Sequence, residues 1–144
     1  LESKATELLC LVFQDLSLLE ANVRLKNLAP VDIKALNLVK EKIDSNLQEV
    51  PAIPQLSKEF GICESRLKTG FKSLFGLPIR AYVHGLRMQQ AQQLLLKNQY
   101  NIDLIASQLG YNHTSNFIAA FKLHFGLTPK SFQNSFKAFS STND

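Results

Sequence analysis

The sequence predicts an all-α fold in which two helix-turn-helix subdomains are joined by a long connecting helix and preceded by an extra N-terminal helix. Apolar residues recur at steps of three and four, which is the period of an amphipathic helix. Turns fall at Gly and Pro, and no stretch alternates long enough to predict a strand. With 144 residues and 45% hydrophobic content, the chain can bury an ordinary core.

The first predicted helix lies near residues 2–26 and carries one apolar stripe. The stripe consists of Leu8, Val12, Leu16, Leu19 and Val23. It is too short to predict a coiled coil, so it indicates either a dimerisation helix or packing on the rest of this domain. We assign residues 1–29 as a helix and linker to a sensor or dimerisation domain. Because the chain begins with Leu1, we expect a fragment of a longer protein or a processed start.

Two helices are predicted between residues 30 and 60. Asp32 is placed to cap the first of them. Its inner face is predicted to be Leu36, Val39, Ile43 and Leu47. The prolines at 51 and 54 end this helix, and Pro54 suits the first turn of the next one, which runs to Phe60 before Gly61 turns the chain.

An internal repeat, with copies about fifty residues apart, is the clearest pattern in the chain. The first copy reads LSKEFGI at 56–62 and FKSLFGL at 71–77, and the second reads IASQLGY at 105–111 and FKLHFGL at 121–127. Each copy is therefore a helix, a glycine turn, a second helix and a glycine stop, which is the order of a helix-turn-helix unit. Gly61 and Gly110 supply the backbone freedom that the steep turn requires.

The second helix of each copy has an apolar face and a polar face. The apolar residues recur every four positions, at Leu67, Phe71 and Phe75 and at Phe117, Phe121 and Phe125. The other face carries small and polar side chains, which suit the base edges of DNA. These are Ser65, Lys68, Thr69 and Lys72 in the first copy, and Ser115, Asn116, Ala119 and Lys122 in the second.

Residues 78–97 predict the connecting helix. Its apolar anchors are Tyr82, Leu86, Ala91, Leu94 and Leu95. At about 1.5 Å per residue it spans roughly 30 Å, which is close to the roughly 34–36 Å advance of one turn of B-DNA. Such a rod can hold two recognition helices in successive major grooves. The predicted DNA-binding domain is 30–139, with a first unit at 30–77, the connecting helix at 78–97, a second unit at 98–139, and a disordered tail at 140–144.

The charge distribution indicates a polyanionic partner. Residues 1–50 carry 6 Lys or Arg and 8 Asp or Glu, net −2, whereas residues 51–144 carry 10 and 4, net +6. The cations expected to meet phosphates are Lys72, Arg80, Lys122 and Lys130. Lys68 can donate to guanine and Asn116 can pair with adenine. Ordinary solvated charge is the alternative for Lys72 and Lys122, and Arg87 fits an ion-pair partner as well as a phosphate ligand.

Other classes of function are disfavoured by what the sequence lacks. His84, His113 and His124 have no Cys, Asp or Glu partners at metal-ligand spacing, and no phosphate loop or nucleophile motif is present. We therefore predict no enzyme, no metal and no cofactor. No apolar stretch approaches a bilayer span and no signal peptide is recognisable, so we expect a cytoplasmic protein without membrane contact. A helical protein–protein interaction module is the alternative function, and it would bind without strong salt dependence.

A spaced pattern in the second copy and the connecting helix carries a family resemblance. Its residues are Ile102, Ile105-Ala106, Gly110-Tyr111, Phe117, Phe121, Phe125-Gly126, Pro129 and Phe132, with Arg87, Ala91 and Leu94-Leu95 before them. From Pro54 to Phe132 the chain thus resembles the DNA-binding domain of AraC-type transcription regulators. It departs where Asn112 and His113 replace a common acidic residue or serine, and where Gln133 replaces the usual arginine.

The resemblance implies which side chains meet DNA. Base contacts are implied at Ser65, Lys68 and Thr69 with Glu64 at the mouth of the helix, and at Thr114, Ser115, Asn116 and Ala119 in the second copy. Because Ala119 stands where many relatives have a long polar side chain, we expect the first unit to discriminate bases more strongly.

The resemblance also implies partners and a regulatory role. Double-stranded DNA and RNA polymerase are the implied partners, with a homodimer formed through the N-terminal helix or a preceding domain. Activation of transcription is the family's commoner mode. The segments 4–9 and 64–72 are similar to siderophore-responsive members, which indicates control of iron-uptake genes.

Overall fold

A computed structural model of the chain describes residues 5, 7–9, 11–16, 19 and 28–141. These residues form helices, turns and bends without a strand, which confirms the predicted all-α class. The helices after residue 29 are α1 (Pro30–Ser45), α2 (Ile53–Phe60), α3 (Glu64–Phe75), α4 (Ile79–Lys97), α5 (Ile102–Gln108), α6 (Thr114–Phe125) and α7 (Pro129–Ser140). In the part of the chain so described, no helix is both long and apolar enough to cross a membrane.

The extra N-terminal helix is present in the described residues before α1, since positions 5, 7–9, 11–16 and 19 are all helical. Its apolar side chains are exposed. They are Leu8, Leu9, Leu11, Val12, Phe13, Leu16 and Leu19. This exposure argues against the alternative in which the stripe packs on the rest of the domain. The remaining residues of the predicted helix, Val23 among them, and residues 142–144 of the predicted tail lie outside the described residues.

The chain divides into two compact units, of which the first comprises residues 1–41 and 51–79. Its buried core joins side chains of α1, α2 and α3 with two neighbours. They are Ala35, Leu36, Val39, Leu56, Ile62, Leu67, Phe71 and Ile79. Gly70 lies in α3 where an added Cβ would come within 2.8 Å of Leu36 Cδ1, so the absence of a side chain lets α3 approach α1 closely.

Helix α1 corrects the prediction at both ends. It begins at Pro30, so Asp32 lies in the first turn and does not cap the helix. There its charge favours the helix dipole, and its carboxylate lies 3.6 Å from Arg66 Nη1. Leu47 lies beyond the end of the helix at Ser45 and is half-buried. The predicted inner face is confirmed at the fully buried Leu36, Val39 and Ile43.

The second unit comprises residues 42–50 and 80–144. Its core is formed by α4, α5, α6 and the turn between the last two. The buried members are Met88, Ala91, Leu95, Ile105, Ala106, Leu109, Phe117 and Phe121. Tyr111, Phe125 and Phe132 pack against this cluster and are partly buried, as predicted for Phe125.

The buried face of α4 differs from the prediction. Ala91 and Leu95 are buried as expected, but the other buried residues are Ile79, Val83 and Met88. The predicted anchors Tyr82, Leu86 and Leu94 are only half-buried. Tyr82 is only half-buried because its hydroxyl donates to Asp44 Oδ1 at 2.7 Å, which holds the side chain at the edge of the core.

Candidate nucleic-acid interface

The turns of the two helix-turn-helix units have the same backbone construction. Gly61 has φ +64° and Gly110 has φ +84°, so both glycines adopt the left-handed conformation that the repeat predicted. In each copy the residue after the glycine donates its N–H to a carbonyl five residues earlier. The bonds are Ile62 N to Ser57 O at 3.2 Å and Tyr111 N to Ala106 O at 3.0 Å. The sequence repeat therefore corresponds to a structural repeat.

The second helix of each unit, α3 or α6, is held by the same arrangement of rings. In α3, Leu67 and Phe71 are fully buried and the Phe71 and Phe75 ring centroids lie 4.6 Å apart. In α6, Phe117 and Phe121 are fully buried and the Phe121 and Phe125 centroids also lie 4.6 Å apart. Both helices therefore present their opposite faces to solvent.

The exposed face of α3 carries the first set of candidate contact residues. Glu64, Ser65, Lys68, Thr69 and Lys72 are all exposed. Lys68 Nζ lies 4.0 Å from Glu64 Oε2, which is a loose pair between exposed side chains and contributes little to stability. Thr69 Oγ1 donates to Ser65 O at 2.8 Å within the helix, so its lone pairs are left to accept hydrogen bonds.

The exposed face of α6 carries the second set. Ser115, Asn116, Ala119 and Lys122 are exposed, whereas Thr114 is half-buried. Thr114 Oγ1 donates to Asp103 Oδ1, on α5, at 2.7 Å. In the described part of the chain the Ser115 and Asn116 side chains make no hydrogen bond, so their donors and acceptors face only solvent.

The N-termini of α3 and α6 lack the side-chain caps found on two other helices. Asn101 Oδ1 accepts from Leu104 N at 2.8 Å to cap α5, and Thr128 Oγ1 accepts from Ser131 N at 3.2 Å to cap α7. At the corresponding positions of α3 and α6 stand Cys63 and His113, which make no such bond. The first-turn N–H groups of both helices therefore have no cap side chain and form positive ends suited to an anion.

The four cations expected at phosphates are all exposed. Lys72 and Lys122 lie in the last turns of α3 and α6, and Arg80 and Lys130 are the second residues of α4 and α7. Within the described residues none of them has a carboxylate within ion-pair distance. Their charge is therefore not compensated locally by an acidic side chain.

Arg87 is half-buried, and no carboxylate of the described residues lies within ion-pair distance of it. Its Nε and Nη2 donate to the carbonyl oxygen of Leu47 at 3.1 and 3.0 Å. The guanidinium carbon lies 5.5 Å from the centroid of the Tyr111 ring, which is a cation–π distance. Arg87 therefore anchors the segment after α1 within the second unit, and its contact with a phosphate stays a prediction.

Gly110 has a second role besides the turn. Gln48 Nε2 donates to Ser107 O at 3.4 Å, so the segment after α1 meets the end of α5 at Gln48. A Cβ on Gly110 would lie 2.3 Å from Gln48 O and 2.8 Å from Arg87 Nη2. Only glycine therefore allows this segment to approach the turn before α6.

A polar cleft of about 400 Å³ lies beside the start of α6. It is lined by Gln48, Glu49, Asp103, Ser107, Gly110, Tyr111, Asn112 and Thr114. Among the described residues, no group of three or more His, Cys, Asp or Glu could hold a metal ion. Its polar side chains can form hydrogen bonds, and Glu49 and Asp103 place negative charge beside α6.

Residues 56–135, which are more than half of the chain, match the helix-turn-helix domain family. The chain belongs to the AraC-type helix-turn-helix family. It is 32% identical over 100 residues to the transcriptional activator AggR of Escherichia coli, covering 69% of this chain and 37% of AggR. The chain thus spans well under half the length of that AraC-type relative.

Solved structures agree with this assignment. The C-terminal domain of the two-component response regulator YesN from Fusobacterium nucleatum is 29% identical, with a TM-score of 0.64 over 69% of this chain and 98% of that one. The DNA-binding domain of AdpA, solved in complex with a target DNA, shares the fold, with a TM-score of 0.67 and 22% identity over 72% of this chain and 93% of that one. AraC-type relatives are transcription regulators, which confirms the prediction that the chain is not an enzyme.

A histidine pair in the second AraC-type unit lies away from the polar face. The rings of His84, on α4, and His124, on α6, are 5.5 Å apart and edge-on. Burial lowers the pKa of His84, and the charges of His124 and Arg87 lower it further. At Tyr111, burial raises the pKa and the charge of Arg87 opposes the rise. The His84 pair is a feature that the sequence did not predict, because two single histidines forty residues apart carry no pattern.

Proposed function

We propose that this chain is the sequence-specific DNA-binding part of a bacterial transcription regulator, and that it inserts α3 and α6 into the major groove of double-stranded DNA. The observation that carries the proposal is that α3 and α6 are built in the same way. Each copy has a buried aromatic face, an exposed polar face, an N-terminus without a side-chain cap and a lysine in its last turn. The AraC-type domain of AdpA, which has the same fold, was solved with a target DNA.

Base recognition is proposed for the exposed faces of both helices. The residues are Glu64, Ser65, Lys68 and Thr69 on α3, and Thr114, Ser115, Asn116 and Ala119 on α6. Lys68 donates to guanine, and the amide of Asn116 pairs with the N6 and N7 edge of adenine. The first unit discriminates more strongly, because Ala119 offers only a methyl group and the Thr114 hydroxyl already has a partner.

Phosphate contacts are proposed for the four exposed cations and for two helix ends. Lys72, Arg80, Lys122 and Lys130 neutralise phosphates and set the register of the protein on the duplex. The N–H groups at the starts of α3 and α6 meet further phosphate oxygens. These contacts carry no sequence information, but they supply most of the salt-dependent affinity.

The proposal extends to the regulator as a whole. The name of the relative AggR supports transcriptional activation, for which RNA polymerase is the proposed partner. Homodimerisation through the N-terminal helix is supported by the exposed apolar side chains of its described residues. The proposed DNA-binding domain is 30–139, its units are 30–77 and 98–139 around the connecting helix, and the protein acts in the cytoplasm.

We also propose that the regulator controls iron-uptake genes. Its support is the similarity of segments 4–9 and 64–72 to siderophore-responsive members. Neither AggR nor the xylose operon regulatory protein of Escherichia coli, which is 26% identical over 105 residues, has a name that refers to iron. The genomic position of the selected DNA motif therefore tests control of iron-uptake genes. A motif that lies upstream of other genes would refute it.

The function is tested by selecting bound sites from random-sequence duplex DNA with the 144-residue chain. We expect enrichment of two short motifs separated by about one helical turn, roughly 10 base pairs. Enrichment of a single motif would refute the two-helix mechanism. No enrichment, together with binding that does not change with salt, would refute DNA reading and favour the protein-interaction module.

A further inference from the structure

The start of α6 is tied to α5 by one side-chain hydrogen bond. Thr114 is the first residue of α6, and its Oγ1 donates to Asp103 Oδ1 at 2.7 Å. Asp103 lies in the first turn of α5, a helix whose own N-terminus is capped by Asn101. The acceptor is therefore held by a capped helix that packs in the core, and it fixes the side chain at the first position of α6.

This tie distinguishes the second copy from the first. When the two copies are superposed on their sequence repeat, Pro54 and Glu64 take the places of Asp103 and Thr114. Pro54 has no polar side chain, and Glu64 lies beside Lys68 of its own helix. The start of α3 thus has no equivalent bond to α2 in the described residues, although α3 and α6 have the same length and the same glycine stop.

The bond acts at the end of α6 that has no capping side chain. His113 precedes the helix without capping it, so the first turn lacks the side-chain bond that normally limits fraying. Ser115 and Asn116 follow Thr114 directly, and their side chains make no hydrogen bond with any residue that the structure describes. A hydrogen bond to an ionised acceptor is stronger than a neutral one, and the branched Cβ of threonine leaves few side-chain rotamers. Fixing Thr114 therefore also fixes the backbone that carries Ser115 and Asn116.

We propose that Asp103 is a positioning residue of the second recognition helix: by holding the Thr114 hydroxyl it orients Ser115 and Asn116, and so determines how sharply this unit discriminates bases. The inference rests on the proposed function and changes one role within it. Because its hydrogen is committed to Asp103, Thr114 can offer a base only an oxygen lone pair or its methyl group. Thr114 then serves recognition through Asp103 more than by direct contact.

The test uses variants that distinguish loss of the Thr114–Asp103 hydrogen bond from changes in side-chain size, in charge and in folding. Thr114→Val removes the hydroxyl at nearly constant shape, and Asp103→Ala removes the acceptor. Thr114→Ser restores the hydroxyl. Glu49→Gln is the charge control, because it removes one negative charge from the lining of the same cleft without touching the bond. Each variant of the full chain is used for site selection on random duplex DNA and for amide hydrogen exchange in the absence of DNA.

We expect T114V and D103A to lower base discrimination about three- to tenfold in the half-motif read by α6, while the half-motif read by α3 is unchanged. Amides 115–117 should exchange faster in both variants without DNA. The double variant should lose no more than either single one, because both remove the same interaction. E49Q should behave as the wild type, and T114S should keep the slow exchange of amides 115–117 because it keeps the hydroxyl that donates to Asp103.

Three results would overturn the proposal. The first is a T114V protein that selects the wild-type motif with wild-type discrimination. The second is a loss shared equally by both half-motifs or by random DNA, which would indicate a general loss of folding or of charge. The third is additive loss in the double variant. A wild-type chain that selects no motif would refute the proposed function itself, whereas these results refute only the role of Asp103.

Discussion

Gly110 meets two independent demands at a single position. Its φ of +84° is unfavourable for residues with a Cβ, and Gln48 O and Arg87 Nη2 occupy the space that a Cβ would need. We expect Gly110→Ala to lower the free energy of unfolding by at least about 2 kcal/mol, as measured by urea denaturation. Gly85→Ala is the matched control, because Gly85 lies within α4 with nothing near its Cβ position. That variant should gain up to about 1 kcal/mol.

Asn116 is the residue with the most specific proposed contact. Replacing it by alanine should cost about 1–3 kcal/mol of binding free energy on the selected duplex and relax the preference at one base pair. Competition binding against duplexes with each of the four base pairs at that position measures both effects. Lys122→Gln is the control, since loss of a phosphate contact should weaken binding to all sequences alike. If N116A lost the same binding free energy on all duplexes, Asn116 would contact the DNA backbone and not a base.

The His84 and His124 pair should make the second unit sensitive to mild acid. The pKa of His84 is lowered in the folded state from its usual value of 6.5, so the unfolded chain takes up this proton first as the pH falls. Its contribution to stability is therefore present above pH 6.5 and is lost as the pH falls through the folded pKa. We expect the Tm to decrease from pH 7.5 to pH 5 and the decrease to be smaller in His84→Gln.

The control for this prediction is His113→Gln, which changes an exposed histidine outside the pair. It should leave the difference in Tm between the two pH values as in the wild type. An H84Q protein with the full wild-type decrease would show that other groups cause it.

At the scale of the helix, the missing caps of α3 and α6 oppose stability and favour the proposed contacts. His113→Ser supplies a side-chain acceptor to the first turn of α6 and should raise the free energy of unfolding by roughly 1 kcal/mol. His113→Asp should stabilise the helix similarly but weaken DNA binding, because its charge faces the phosphates proposed to meet this end. Unchanged affinity of H113D relative to H113S, measured at low salt, would place the start of α6 away from phosphates.

The presence of the helices could be predicted from the period of the apolar residues, because a helix that buries one face needs apolar side chains at that period. The repeat predicted the ends of α2, α3 and α6, since glycine at these ends adopts the left-handed conformation. The start of α1 and the face of α4 were predicted less well. A residue such as Tyr82 is apolar in the pattern, but its hydroxyl needs a polar partner at the surface.

Side-chain partners were beyond the reach of the sequence. Arg87 donates to a backbone carbonyl forty residues away, and every residue offers such a carbonyl, so no sequence pattern marks it. Asp103 was not selected for the same reason, since its partner Thr114 is identified only when α5 and α6 pack together. By contrast, the exposed polar face of α6 followed directly from the positions of Phe117 and Phe121.

For the molecule as a whole, charge and repeat support the same function. The excess of +6 in residues 51–144 falls on the part of the chain that contains both copies of the repeat, whereas residues 1–50 carry −2. Four exposed cations in the second part have no acidic partner among the described residues. A chain that binds DNA through phosphates releases counterions, so its affinity must fall steeply with salt.

The most direct test of the central claim is the salt dependence of binding of the 144-residue chain to one selected duplex and to a scrambled one. Four phosphate contacts predict that the logarithm of the binding constant falls with the logarithm of salt concentration with a slope of about −3 or steeper on both duplexes. The selected duplex should bind more tightly throughout, and Lys122→Gln should reduce the slope by about 1. A slope near zero, or equal affinity for the two duplexes at every salt concentration, would contradict DNA reading by these helices.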